Sequence, residues 1–208
     1  MMPVAGAPEA ASSRTDGRRL RSARTSQLII EAYLALLRDK PQIPTAARIA
    51  ERAGYSVRSV FERFPDLHAL RVAATDYAMA QATVQAPLKV EGDRQARLAA
   101  YVETRGGTCE RWLPLWRALN ANKGESADLN NRILLVRRTV LRRIELMFEA
   151  ELALLEADRR RRTLIALDTL LDFESWGRMR DDHGLSVAEA CTVWREAIDR
   201  LLPAPGVS

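Results

Sequence analysis

Apolar positions recur with helical spacing along most of the chain. Leu28, Ile29, Ala32, Tyr33, Leu36 and Leu37 fall at i, i+4 and i+8 in two adjoining rows, the stripe of a helix that opens near Thr25 or Ser26 and closes before Pro41 and Pro44. Thr45 is placed to cap a second helix through Ala53, Gly54 to break it, and Ser56 to cap a third running to Phe64. Pro65 ends that helix, and Asp66 is placed to cap a long fourth one through about Gln85. Beyond Pro87 and Gly92 the pattern predicts helices over residues 94–104 and 108–120, then a polar loop at 122–125. A long helix comes next, in which Ile133, Val136, Val140, Ile144, Met147, Leu152 and Leu155 keep a period near 3.5. Another, after Asp158, carries Leu164, Leu167, Leu171 and Trp176. The last, after His183 and Gly184, carries Val187, Cys191, Trp194, Ile198 and Leu201 and stops before Pro203 and Pro205. No alternating run of useful length interrupts these periods, so the fold class is all-α.

Composition narrows the class. At 208 residues, with 47% hydrophobic and 28% charged positions, the chain has room for one globular domain or for a small head on a larger body. No apolar run approaches the roughly 18 residues of a membrane span. Residues 1–24 lack the continuous apolar stretch of a secretory signal, so a cytoplasmic protein with no membrane partner is expected. Cys109 and Cys191 stand apart without a C-x-x-C, which points to packed thiols and to no metal or cofactor.

The placement of charge says more than its sum. From Met1 to Pro65 there are 11 Lys and Arg against 6 Asp and Glu, an excess of 5, while the remaining residues balance at 21 of each. A positive field confined to the first third is what attraction to phosphates requires. Within it, residues 1–23 hold Pro3, Gly6, Pro8, Gly17 and four arginines, with Arg24 just beyond, and show no apolar periodicity. They read as a disordered basic arm, either a solvated tail or an arm lying along phosphates or in the minor groove.

Residues 45–64 have the layout of a helix-turn-helix. Ala50 is small where two helices must approach, Gly54 stands where the chain bends, and Ile49, Ala53, Val57, Val60 and Phe64 offer an inner apolar face that Leu28, Tyr33 and Leu36 can cover. The candidate DNA contacts are Thr45, Arg48, Ser56, Val57, Arg58, Ser59, Phe61 and Arg63. Arg58 and Ser59 lie near the N-terminal end of the third helix, the part that meets base edges in this motif, and Arg can bond guanine O6 and N7 bidentately. Thr45 and Ser56 stand at helix N-termini suited to phosphate, and Arg48, Arg52 and Arg63 could take further phosphates.

The stretch TAARIAERAGYSVRSVFERFPDLHAL at residues 45–70 resembles the DNA-binding head of the TetR family of transcriptional regulators, through Thr45, Ile49-Ala50, Ala53-Gly54-Tyr55-Ser56, Phe61 and Phe64. It departs from the family pattern where a phosphate-binding Tyr is replaced by Phe61 and a Lys by Leu67. The resemblance implies a three-helix DNA-binding head at 24–70, after the arm at 1–23, and a larger helical effector-binding and dimerisation domain at 71–208. It implies a homodimer joined through the last two helices, residues 158–182 and 186–202. It also implies a near-palindromic operator in double-stranded DNA and a repressor released by a small-molecule effector of unknown identity.

Tyr101, Trp112, Trp116, Met147, Phe148 and Trp176 are the candidates to line an effector pocket, and core packing is the competing reading of each. The run Arg159 to Arg162 reads as a solvated helix start balanced by neighbouring acids in preference to a second nucleic-acid site, and Asp168, Asp172 and Glu174 as groups facing water in preference to recognising a cationic effector. His68 and His183 stand in unrelated contexts and no nucleotide or nucleophile motif is present, which argues against an enzyme. The alternative to a regulator is a helical protein-interaction module that does not bind DNA.

Overall fold

The computed structural model describes residues 9–40, 42–86, 89–121 and 126–204, with side chains described from Arg19 onward. Every regular element among them is a helix: α1 Glu9–Asp39, α2 Ala46–Ala53, α3 Val57–Arg63, α4 Leu67–Gln85, α5 Arg94–Ala121, α6 Ala127–Met147, α7 Glu149–Leu152, α8 Ala157–Leu170, α9 Phe173–Asp181 and α10 Val187–Leu201. The chain divides into two compact units between Ala74 and Thr75, within α4.

In the first unit, α1 begins 16 residues ahead of Thr25, so the expectation of an unstructured arm over residues 1–23 gives way to helix from Glu9 onward. Pro3, Gly6 and Pro8 all precede Glu9 and lie outside the described residues. Ile29, Tyr33, Leu36 and Leu37 are buried as the spacing predicts. Leu28, expected to cover the inner face, is 37% exposed, and Ile30 and Leu34 are buried in its place. Burial raises the Tyr33 hydroxyl to about 12, against a smaller opposing pull from Arg71.

The second unit is organised on α5, which packs against α6, α9 and α10. The sequence pattern predicts two helices over 94–104 and 108–120; one runs through both, and Gly106 and Gly107 do not break it. Gly106 serves packing instead, since a Cβ there would lie 2.9 Å from both Trp176 Cη2 and Cys191 Sγ. Cys109 is fully buried on the same helix, and burial pushes its thiol up to about 12. The loop expected at 122–125 lies outside the described residues.

Two long helices of the sequence pattern are each interrupted, and in both cases an arginine of α5 takes up a carbonyl at the break. The helix expected to run past Met147 ends there and resumes as the single turn α7. Arg97 donates to the Met147 carbonyl at 2.5 Å and to both carboxylate oxygens of Glu151. The segment 158–182, expected as one helix, is α8 and α9 around Leu171 and Asp172. There Arg105 Nε donates to the Leu171 carbonyl at 2.9 Å, and Asp172 caps α9 through Glu174 N. A carbonyl freed at a helix end needs a partner, and these guanidinium groups provide one.

Candidate nucleic-acid interface and interior cavity

The helix-turn-helix is assembled by local capping. Thr45 Oγ1 accepts from Arg48 N at 3.4 Å, Ser56 Oγ from Ser59 N at 3.1 Å, and Asp66 Oδ1 from Ala69 N at 2.7 Å. Gly54 closes α2 at φ +74°, a left-handed conformation that favours glycine. The hydroxyls of Thr45 and Ser56, expected at phosphates, therefore serve first as cap acceptors, and Ser56 Oγ also lies 2.9 Å from Ser59 Oγ. Their O–H groups can still donate outward.

These caps fix which way α3 faces. Val60 and Phe64, one turn apart, are buried with Ile49 and Ala50. Val57, expected on that inner face, is instead 40% exposed and forms an outward apolar row with Phe61, 44% exposed one turn later. Val57 stands i, i+3 with Val60 and i, i+4 with Phe61, so the helical period puts it at the edge of the buried face rather than at its centre. Arg58 flanks the row with its side chain 88% exposed, and its Nε donates to Glu62 Oε1 at 3.0 Å. Arg48, Arg63 and Arg52 are exposed, but Arg52 is engaged, donating to Asp39 Oδ2 at 3.0 Å. Seven of the eight expected contacts are thus exposed, and Ser59 is half-buried.

The second unit holds a cavity of about 90 Å³ that is open to solvent on one side. Small residues of α4 (Thr75, Ala78, Ala82 and Thr83) form one wall with Met79, and Trp112, Leu115 and Trp116 of α5 another. Val136, Val140 and Arg143 of α6 and Phe173 of α9 complete it. A neighbouring cavity of about 30 Å³ is lined by Tyr101 and Met147 among others, and Arg105, Thr108, Val140 and Arg143 border both. Of the six aromatic and Met positions expected at an effector site, Trp112 and Trp116 line the larger cavity and Tyr101 and Met147 the smaller. Phe148 and Trp176 line neither. Phe148 sits edge-on behind Tyr101 with ring centres 5.5 Å apart. Trp176 packs on Trp194 at 4.8 Å and donates its Nε1–H to Glu110 at 2.8 Å, so both belong to the core.

The polar members of this wall, Arg105 and Arg143, are absent from the residues that apolar spacing selects. A signal for them exists all the same: Tyr101, Arg105 and Cys109 fall at i, i+4, i+8, and Val136, Val140, Arg143 and Met147 at i, i+4, i+7, i+11, so each arginine interrupts an apolar row. Burial lowers the Arg143 pKa, working against its charged form, and the neighbouring Arg105 acts in the same direction. Burial also raises the Asp168 carboxyl, with Asp172 adding to the shift and Arg137 and Arg105 opposing it.

No family model and no curated protein matches the sequence. Solved structures do. A TetR-family transcriptional regulator from Streptomyces coelicolor superposes with a TM-score of 0.67 at 21% identity, over 86% of this chain and 80% of that one. A transcriptional regulator from Rhodococcus sp. Rha1 gives 0.65 at 15% identity, over 86% and 99%. A TetR transcriptional regulator from Rhodococcus sp. RHA1 gives 0.52 at 16%, over 86% and 96%. The chain has the fold of TetR-family regulators, and the likeness that residues 45–70 suggest extends over most of its length.

Proposed function

We propose that the protein is a sequence-specific DNA-binding transcriptional regulator, a cytoplasmic homodimer that acts as a repressor and releases its operator when a small molecule enters the second unit. The observation that carries this reading is the outward side of α3. A helix whose other side is pinned by Val60 and Phe64 presents two apolar side chains and an extended arginine to solvent. Those groups suit the major groove, where Arg reads guanine and apolar side chains meet the thymine methyl. A solvated helix has no need to expose Val57 and Phe61 in one row.

For the dimer, α8 and α10 are the candidates. They touch each other and expose Ile165, Val193 and Leu201, whereas α9 buries Phe173, Trp176, Gly177 and Met179 and has little apolar surface to offer. Two recognition helices on a twofold axis address half-sites about 34 Å apart, so the operator is a near palindrome.

The test is selection of oligonucleotides from a random pool by the purified protein, then titration of the selected site. Recovery of an inverted repeat, bound less tightly as salt rises with a log–log slope of roughly −0.9 per phosphate contact, supports the regulator. A pool that converges on nothing, or binding indifferent to salt, favours the protein-interaction module instead.

A further inference from the structure

We infer that the larger cavity binds a small amphipathic monocarboxylate, its carboxylate against Arg105 and Arg143 and its ring or short chain among Met79, Trp112, Leu115 and Trp116. The inference deepens the regulator reading and rests on it for the ligand's regulatory meaning, though not for the binding itself.

Charge is the first ground. Arg105 is 8% exposed and Arg143 is half-buried, and among the described residues neither forms an ion pair with a carboxylate. A buried guanidinium without an anion is an unfavourable arrangement that an anionic ligand would relieve. Arg105 has part of its hydrogen bonding met by the Leu171 carbonyl, and its guanidinium carbon lies 4.6 Å from the centre of the Phe173 ring. Neither contact neutralises it. Asp168 and Asp172 are the nearest acids to consider. They share a small cavity on the Trp116 and Phe173 side with Arg105, whose charge acts on the Asp168 carboxyl without an ion pair forming, and they line neither of the two cavities that Arg143 borders.

Unused donors are the second ground. Arg143 Nε, Trp112 Nε1 and Tyr101 Oη are buried without a hydrogen-bond partner. Such donors are uncommon in a folded interior; Tyr33 Oη, Arg94 Nε and Trp194 Nε1 are others among the described residues, but these three belong to residues that line the adjoining cavities. A carboxylate is acceptor-only with about four lone-pair sites, which matches a wall made of donors; an amine would bring more donors and a positive charge.

Size and shape are the third ground. At about 90 Å³ the larger cavity falls well below the roughly 300 Å³ at which drug-sized pockets begin. Indole and aliphatic surfaces around it suit one ring or a short chain. Four of its α4 positions are Ala or Thr, which leave room beside the indoles.

The experiment is calorimetric titration of the full chain with benzoate, phenylacetate and hexanoate, each beside its neutral amide and the corresponding ammonium. Charge-assisted contacts predict that the carboxylates bind at least about tenfold more tightly than their amides, with the ammonium compounds weakest. Arg143→Met should abolish that preference while amide binding stays put, and Arg143→Lys should keep part of it. If Arg143→Met fails to fold, the charge series on the parent protein decides alone. Amides binding as tightly as acids, a preference for ammonium, or no binding by any of the three carboxylates overturns the inference. Carboxylate binding in a protein that selects no DNA sequence would uphold the cavity and overturn the regulator reading, and operator binding without carboxylate preference would do the reverse.

Discussion

Arg58 and Glu62 allow the role of α3 to be tested with both signs of charge. Arg58 is tied to Glu62 by an exposed i, i+4 pair, and such pairs are worth only about 0.3–0.5 kcal/mol. A bidentate contact to guanine contributes roughly 1–3 kcal/mol of discrimination. The guanidinium therefore leaves Glu62 for a base at a net gain of roughly 0.5–2.5 kcal/mol, or about 2- to 60-fold in relative affinity. Arg58→Ala should lower the ratio of selected-site to scrambled-site affinity by that factor and barely change stability, since the residue lies outside the packed face. Glu62→Gln removes both the internal partner and a negative charge beside the phosphates, so it should tighten binding to either duplex. Anisotropy titrations of both variants on both duplexes, at about 50 and about 200 mM salt, separate the contributions, because losing a phosphate contact makes the salt dependence shallower and losing a base contact does not. An equal loss on selected and scrambled DNA for Arg58→Ala would show that Arg58 does not read bases. A weakening by Glu62→Gln would show that α3 does not face the phosphates at all.

Phe61→Tyr adds a hydroxyl to an exposed ring at the position where the TetR family carries a phosphate-binding Tyr. It should tighten binding to selected and scrambled DNA alike by about 0.5–1.5 kcal/mol, and unchanged affinity in the same titration would reject that contact. Gly106→Ala places a Cβ 2.9 Å from Trp176 Cη2 and Cys191 Sγ, neither of which is the end of a long flexible chain. Overpacking of about 1–3 kcal/mol should lower the melting temperature by roughly 2–12 °C, and an unchanged melt by calorimetry would rule out the tight approach. Arg97→Met strands Glu151, which is 2% exposed, and should cost about 3–5 kcal/mol, or roughly 6–20 °C of melting temperature. Arg97→Met with Glu151→Leu should recover most of that loss, and a double variant as unstable as the single one contradicts the stranded-charge account.

The helix limits between Asp39 and Leu67 are legible in the sequence because they are set by neighbours in the chain. A Thr, Ser or Asp that can accept from the N–H three residues on, a Gly that can turn left-handed and a Pro that cannot continue a helix all act within a few residues. The breaks at Phe148 and Leu171 are not legible, because what stabilises them comes from far away. Arg97 reaches the Met147 carbonyl across 50 residues and Arg105 the Leu171 carbonyl across 66. Gly106 misleads in the opposite direction, since a pair of glycines suggests a breaker while this one is required by an indole pressed against the helix. In the site, Trp112 and Trp116 are readable from apolar spacing, but the same spacing makes Phe148 and Trp176 look equivalent to them. Which aromatic rings face a cavity and which face one another is decided by how α5, α6 and α9 pack. The arginines of the cavity escape notice because a charged residue in an apolar row reads as an interruption of the row, when it marks a place where the row encloses something polar.

Arginine serves three different ends in this chain, and the comparison bears on the cavity. On α3 the charge is in water, where its internal partner contributes little, and the proposed function gives it a phosphate or base outside. At Arg97 the charge is largely removed from water, and a buried carboxylate on α7 stands 2.5 Å away, with the Met147 carbonyl taking a further donor. Where this fold uses a buried guanidinium only to hold itself together, it supplies the anion. Arg105 repeats half of that arrangement: it meets a carbonyl at a helix break just as Arg97 does, on the same helix and two turns further along, but Asp168 and Asp172, which border a small cavity with it, form no ion pair with it. Arg143, facing it from α6, adds a second positive charge where electrostatics alone would call for a negative one. A fold optimised only for stability would place Met or Leu at both positions, since apolar replacements of buried charges are often neutral or stabilising. On the proposed reading an anion that comes and goes accounts for this pair of charges, and the contrast with Arg97 makes Arg105 and Arg143, rather than the surrounding aromatics, the positions at which ligand choice is to be tested.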